Sequence, residues 1–348
     1  MIRAWLVAGM ATGVLACAPA VSQESGRTDL NGTWTNESLT NLNRPPGVNK
    51  LVLTEEEARE VISGVSIAGF APEGAPVENF SDPDAGAPEK GGDDFGVRAY
   101  DQFWVSPGDR LAVVKGEIRS SYVVEPASGV VPVRQDVAAR RARSNRYTTG
   151  VGGTEGPEAP PLSERCLIGF GNTGGPGMLS TLYNNTYQIV QAPDHVMILV
   201  EMVHDARIVP TFASAEEARA AHKPNVIKPW LGDSVGWYEG DTLVIETVNI
   251  RPEEVEASTI PVSAEGKVIE RFTRYSDDQI LYEFEVHDPA LYTQVWKGEM
   301  SLNHLTGDGD VYEYACHEGN YGIEGILAGA RQNDRLGVDN GISERDEG

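Results

Sequence analysis

Two short stretches concentrate side chains able to do acid–base work. The first surrounds His204. Side chains on a strand alternate between its faces. Over Val196, Ile198, Val200, Met202, His204, Ala206 and Ile208 one face is apolar except for the histidine. Glu201, Asp205 and Arg207 share the other face, where a structural ion cluster is expected. A histidine aimed into an apolar interior needs a hydrogen-bond partner. It lines a cavity as a general acid or base, or is a satisfied core residue, or a bulge resets the alternation. The second stretch runs from Glu313 to Gly322 and holds Tyr314, Cys316, His317, Glu318, Asn320 and Tyr321. It is expected to begin on a strand and end in a glycine turn. If Cys316 is bridged, the backbone of His317 is held. A fixed His317–Glu318 pair serves an acid–base site and serves a structural knot equally well. Tyr321, Tyr314 and Asn320 can donate to a developing oxyanion.

A third stretch, Asp233 to Asp241, contributes Asp233 as a candidate carboxylate. Trp237 and Tyr238 fall on opposite faces, so one belongs to the core. Asp241 follows Gly240 as a turn residue. The candidate set is therefore His204, His317, Asp205, Glu318 and Tyr321 for chemistry. Tyr314, Asn320, Trp237, Asp233 and Met202 are the candidates for holding a substrate. Other signals fail. Gly169, Gly171 and Gly174 satisfy G-x-G-x-x-G, but Pro176 and Gly177 stand where a helix should open. The histidines at 195, 204, 222, 287, 304 and 317 have no metal-binding spacing. There is no G-x-S-x-G elbow. No cofactor and no metal are expected.

The N-terminus has the form of a signal segment over residues 1–20, with Arg3 ahead of an apolar run from Ala4 to Ala16. That run is too short to span a bilayer. Val14-Leu15-Ala16-Cys17 resembles a lipobox, which would make Cys17 a lipid anchor, and Ala18-Pro19-Ala20 offers ordinary cleavage. The expected location is the periplasm, with or without attachment to the outer membrane. What remains then carries Cys166 and Cys316 alone. In an oxidising compartment two cysteines suggest one bridge, two buried thiols being the alternative. The formal charge of −24 argues against nucleic acid or an anionic membrane face as partner. A small-molecule partner is expected, and the oligomeric state is not legible.

The elements that must position these residues are mostly strands. Residues 21–28 read as a polar tether, 29–335 as one β-rich domain and 336–348 as a polar tail. Thr54-Glu55-Glu56-Glu57 opens a short helix, and Ala71 to Gly96 is a Pro-, Gly- and acid-rich exposed insert. Short β-branched runs follow at Leu111–Val114, Ile118–Val124 and Val130–Val133, then a basic helix over Asp136–Arg143 and a second Gly/Pro-rich loop at Tyr147–Ser163. Beyond Tyr187, tight turns at Ala192–Asp194, Glu239–Asp241, Ser276–Asp278 and Gly307–Gly309 separate pairs of strands. Ser214 caps a brief helix in between. Strands following one another without long helices imply antiparallel pairing, hence an all-β barrel or sandwich.

Three segments resemble a widespread family of exported bacterial proteins. They are Gln188 to His195, Gly232-Asp233-Ser234 with Trp237 to Val244, and Tyr312 to Tyr321. The resemblance covers roughly Asp29 to Arg331 and brings no activity with it. Asp29-Leu30-Asn31-Gly32-Thr33-Trp34-Thr35 also resembles the first strand of lipocalin-like barrels through a short Gly-x-Trp.

These readings converge on an antiparallel, lipocalin-like barrel able to enclose a ligand cavity. The functional expectation is a cofactor-independent acid–base enzyme of the lyase, hydratase, isomerase or cyclase type. Its substrate would be a small apolar or amphipathic molecule. The alternative is a non-catalytic binding protein for such a molecule.

Overall fold

The computed structural model describes residues 27–63, 106–143, 156–305 and 311–337. The expected signal segment with Cys17, the tether up to residue 26, the insert at 71–96, the turn at Gly307–Gly309 and the tail from 338 lie outside them.

Nine strands close a barrel: β1 (Gly32–Thr35), β6 (Thr186–Gln191), β7 (His195–Val200), β8 (Ala206–Phe212), β9 (Asp233–Glu239), β10 (Thr242–Val248), β11 (Lys267–Arg274), β12 (Gln279–His287) and β13 (Trp296–His304). Trp34 opposite His304 and Thr35 opposite Asn303 make the closing pair β1–β13. The other end of β13 pairs with β5 (Val123–Glu125). A separate small sheet has the order β2 (Val52–Leu53), β4 (Glu117–Arg119), β3 (Val113–Val114). The short helices are α1 (Glu55–Ser63), α2 (Gln135–Arg143), α3 (Ala215–Ala220) and α4 (Pro252–Ala257), and a longer α5 covers Tyr321–Leu336.

The barrel is mixed rather than wholly antiparallel. β8 and β9 run parallel through Thr211–Gly236 and Phe212–Trp237. Parallel neighbours need a crossover instead of a tight turn, and residues 213–232 supply it. Within it Ser214 accepts a hydrogen bond from the amide of Glu217 and starts α3. The hairpin turns at Ala192–Asp194, Glu239–Asp241 and Ser276–Asp278 form as the sequence implies.

Alternation fills the barrel with its own side chains. Trp34, Tyr187, Ile198, Leu243, Phe272, Tyr282, Phe284 and Trp296 are all buried in one cluster. Each large apolar side chain taken from water contributes about 1.5–3 kcal/mol. Gly298 faces Phe284 across β12–β13, and a side chain there would collide with the phenyl ring. The lumen is thus a packed core. The opposite wall of β9–β11 packs Val235, Trp237, Val244 and Ile269 under α3.

Two expectations about strands fail. The long strand through His204 is interrupted: β7 ends at Val200 and a 3₁₀ turn spans Met202–His204. Val203 and His204 adopt positive φ (57° and 54°), uncommon outside glycine and an outlier for a β-branched residue such as Val203. Parity is thereby reset. Arg207 and Val209 point inward, and Ile208, expected on the apolar inner face, is 66 % exposed. The segment Val311–Cys316 forms no strand, and the chain continues into α5, which alternation arguments did not anticipate.

Candidate functional site

Long connections gather at one end of the barrel, and the chain from Cys166 to Ser180 folds over that end. Met178 and Leu179 of that segment join the main core, and a sealed polar contact lies beside them. The Arg207 guanidinium grips the Glu270 carboxylate through two bonds, Nη1 to Oε2 at 2.5 Å and Nη2 to Oε1 at 3.0 Å. Their side chains are 3 % and 0 % exposed. The Tyr282 hydroxyl donates to Glu270 Oε1 at 2.6 Å, and the amide of Met178 donates to the Tyr282 oxygen at 2.9 Å. Burial, and secondly the Glu270 charge, push the Tyr282 phenol well up, so it stays protonated as a donor. Gly175, at φ +81°, lets the backbone pass against the guanidinium, and a Cβ there would lie 2.9 Å from it. The ion pair pins the covering segment to the lumen.

On the flank of that segment sit two carboxyl groups with unusual affinity for protons. Asp205 accepts from the amide of Gly169 at 2.6 Å. Burial raises it to about 6, against the lowering effect of that bond. Glu254 accepts from the amide of Leu231 at 3.2 Å. Burial raises it to about 7, and the Asp205 charge adds to the shift. His204 is exposed, and its Nε2 accepts from the amide of Tyr314 at 2.8 Å. That contact selects the tautomer protonated on Nδ1. Cys166 and Cys316 form a disulfide, and Asn320 Nδ2 donates to the carbonyl of Glu164 at 3.1 Å. The 311–320 strap is therefore tied to the barrel end at three points.

The pair has a consequence for stability. Both carboxyls have folded pKa values above their ordinary ones of 3.8 and 4.5. The folded state then binds more protons than the unfolded chain between about pH 4 and 7, and stability falls as pH rises through that window. Above about pH 7 both states are ionised and the penalty is complete. Replacing Glu254 with Gln is expected to raise unfolding free energy by about 1–3 kcal/mol at pH 8 and to change it little at pH 4. Urea unfolding of both proteins at the two pH values checks this. An equal effect at both would deny that the buried charge is the cause.

The candidates read from the sequence do not converge on one cavity. His204 and Asp205 lie beside the strap, with Asp205 turned to Gly169. His317 and Glu318 are exposed, and Tyr321 is 76 % exposed at the start of α5. Tyr314 packs against the main core, linked by its amide to His204. Met202 is fully buried beneath the covering segment. Trp237 lies on the outer wall, with the Arg219 guanidinium 5.0 Å from its ring centre and its Nε1 donating to Glu239. Asp233 is buried in an ion cluster, 2.9 Å from His222 Nδ1 and 2.7 Å from Lys223 Nζ. The expected cluster of Glu201, Asp205 and Arg207 is dispersed, because the turn at Met202–His204 sends Arg207 to Glu270 instead. Glu254 was missed. Its place behind Pro252 in an acidic first turn reads as solvent-facing, and only the fold buries it.

A space able to hold a molecule lies elsewhere at the same end. A cleft of about 1210 Å³ opens between the 38–48 arm, α1, α2 and the covering segment. Its walls include Leu39, Leu42, Val48 and Val61 on one side. Phe170 and Leu179 come from the covering segment, Leu182 from the chain just after it, and Tyr122, Val131, Val133 and Tyr292 from the barrel side. The two phenols are already engaged, Tyr122 with Ser180 at 2.8 Å and Tyr292 donating to Pro261 at 2.7 Å. Neither Asp205, Glu254 nor any histidine lines this cleft.

No family model, curated protein or solved structure matches the chain. The fold and site define a protein with a closed, mixed nine-stranded β-barrel, one end of which is covered by a disulfide-tied segment. Among the described residues no group of three or more His, Cys, Asp or Glu side chains could hold a metal ion, and no helix is long and apolar enough to cross a membrane.

Proposed function

We propose that this is an exported binding protein that holds a small, mainly apolar organic molecule in the cleft at the covered end of the barrel. The observation that carries the reading is the cleft itself. Aliphatic and aromatic side chains form the larger part of its walls beside Ser, Thr and Asn groups, its phenols are already hydrogen-bonded, and Asp205, Glu254 and the histidines lie outside it. Ligand sites are usually concave, largely apolar and furnished with few polar groups. Export is supported by the disulfide, which persists in oxidising compartments. The periplasm is the location this reading takes.

Ala138 is an exposed position on α2 that borders the cleft. Replacing it with Trp is expected to weaken binding of a hydrophobic fluorescent probe about tenfold or more while leaving the unfolding midpoint nearly unchanged. Molecules extracted from the purified protein and identified by mass spectrometry supply the ligand directly. Unchanged probe binding in the variant would place the ligand elsewhere.

A second reading is favoured by one observation, the paired carboxyls Asp205 and Glu254 raised to about 6 and about 7. Groups that exchange protons near neutrality suit acid–base chemistry of the lyase, hydratase, isomerase or cyclase type. In that case turnover of the extracted molecule would depend on both carboxyls. Retention of full turnover in a D205N/E254Q variant would remove it.

A further inference from the structure

Arg44 is the one strongly buried charge in the lining of the cleft, at 8 % exposure, whereas Glu60, the other ionised lining residue, is exposed on α1. Its surroundings leave it short of partners. Nη1 donates to the carbonyl of Ala127 at 2.8 Å. Nε is sealed in protein without any hydrogen bond, and Nη2 finds no partner among the described residues. No carboxylate among them pairs with it. The guanidinium is held in place nonetheless. The Arg44 amide donates to the carbonyl of Gly129 at 2.8 Å. Gly129, at φ +69°, leaves room for the guanidinium, and a Cβ there would fall 2.6 Å from Nε.

A buried cation without a counter-charge is costly. Elsewhere in this molecule buried arginines are matched: Arg207 by Glu270, and Arg119 by Glu117 and Glu299. Arg44 has no such match among the described residues, its charge borders the cleft, and the apolar part of the walls offers a surface for the body of an anionic molecule. The overall charge of −24 rules out attraction of anions from a distance, so any preference for one must come from a local group such as this.

We propose that the ligand of the cleft is an amphipathic carboxylate whose head group pairs with Arg44 while its apolar body lies against Phe170, Leu42, Val133 and Leu179. The inference rests on the cleft being the binding site. With Nε sealed in protein and Nη1 donating to Ala127, Nη2 is the donor left for a charge-assisted contact to a carboxylate oxygen.

Dodecanoate and pyrenebutyrate, each beside its methyl ester, test it by isothermal titration and by pyrene fluorescence on the purified full chain. The acids are expected to bind about 10- to 100-fold more tightly than their esters, the range of a charge-assisted hydrogen bond. In Arg44→Met that preference is expected to vanish, with ester binding retained. Arg44→Lys is expected to keep part of it. If the esters bind as well as the acids to the unaltered protein, the carboxylate assignment is overturned while the cleft reading stands. A preference that survives Arg44→Met assigns the head group to another residue. If none of the four molecules binds, the cleft reading fails and the inference falls with it. The acid–ester comparison needs no variant and decides the carboxylate preference by itself, and Arg44→Lys tests the residue if Arg44→Met does not fold.

Discussion

Replacing Glu270 with Gln is expected to lower the unfolding free energy by about 3–5 kcal/mol, the usual cost of leaving one member of a buried ion pair without its partner. The amide keeps the shape of the carboxylate, so the loss reports the charge and not a cavity. Arg207 would remain inside the barrel, 3 % exposed in its side chain and with Nε already unpaired. The double variant R207M/E270M should recover much of the loss, because two apolar side chains of similar volume need no counter-charges. Guanidinium unfolding with an unchanged m-value is the measurement. A single-variant loss below about 1 kcal/mol would mean that water reaches the pair and that the covering segment is not sealed. The same substitution reaches the ligand site. Glu270 holds Tyr282, and Tyr282 holds the amide of Met178. Leu179 and Ser180, which follow directly, line the cleft. Weaker probe binding in E270Q is therefore expected alongside the lower stability.

The second large effect belongs to the disulfide. Cys166 and Cys316 close a loop with a sequence separation of 150. Replacing both with Ser is expected to cost about 4–5 kcal/mol through the entropy returned to the unfolded chain. The loss should have a local part too. The strap that carries Cys316 is further held by the His204–Tyr314 and Asn320–Glu164 contacts. α5 beyond it buries only Ala330. Hydrogen exchange in 311–337 should rise sharply in the variant, while exchange in β11–β13 should follow only the global change. Global stability left intact, with faster exchange confined to the strap, would make the bridge a local clip, the unfolded chain being compact enough without it.

Legibility differed by region for identifiable reasons. The hairpins at Glu239–Asp241 and Ser276–Asp278 could be read because turn residues separate runs of period-two alternation, and both signals are local. The Ser214 cap was equally local. Around His204 continuous alternation and a break that resets it were both open, and the structure has the break, a 3₁₀ turn at Met202–His204. Positive φ at a valine and a histidine carries no compositional mark. α5 was missed because it buries almost nothing, so its sequence has no strong apolar stripe, and three glycines lower its helical propensity. Glu254 and Arg44 went unnoticed for a related reason. A Glu in a first turn and an Arg before Pro45 look like surface residues until the chain packs over them.

By itself the sequence determined the β-rich class, the main hairpins and the short capped helices, and it suggested the bridge between Cys166 and Cys316 that the structure contains. The first three follow from periodicity, from capping and from turn chemistry. Only the tertiary structure decided the closure of β1 on β13, the parallel step from β8 to β9, the inward turn of Arg207 to Glu270, and the position of the cleft away from the histidines. Those depend on contacts between residues tens to hundreds of positions apart. Such contacts are selected by burial and charge matching in three dimensions, which no local spacing records.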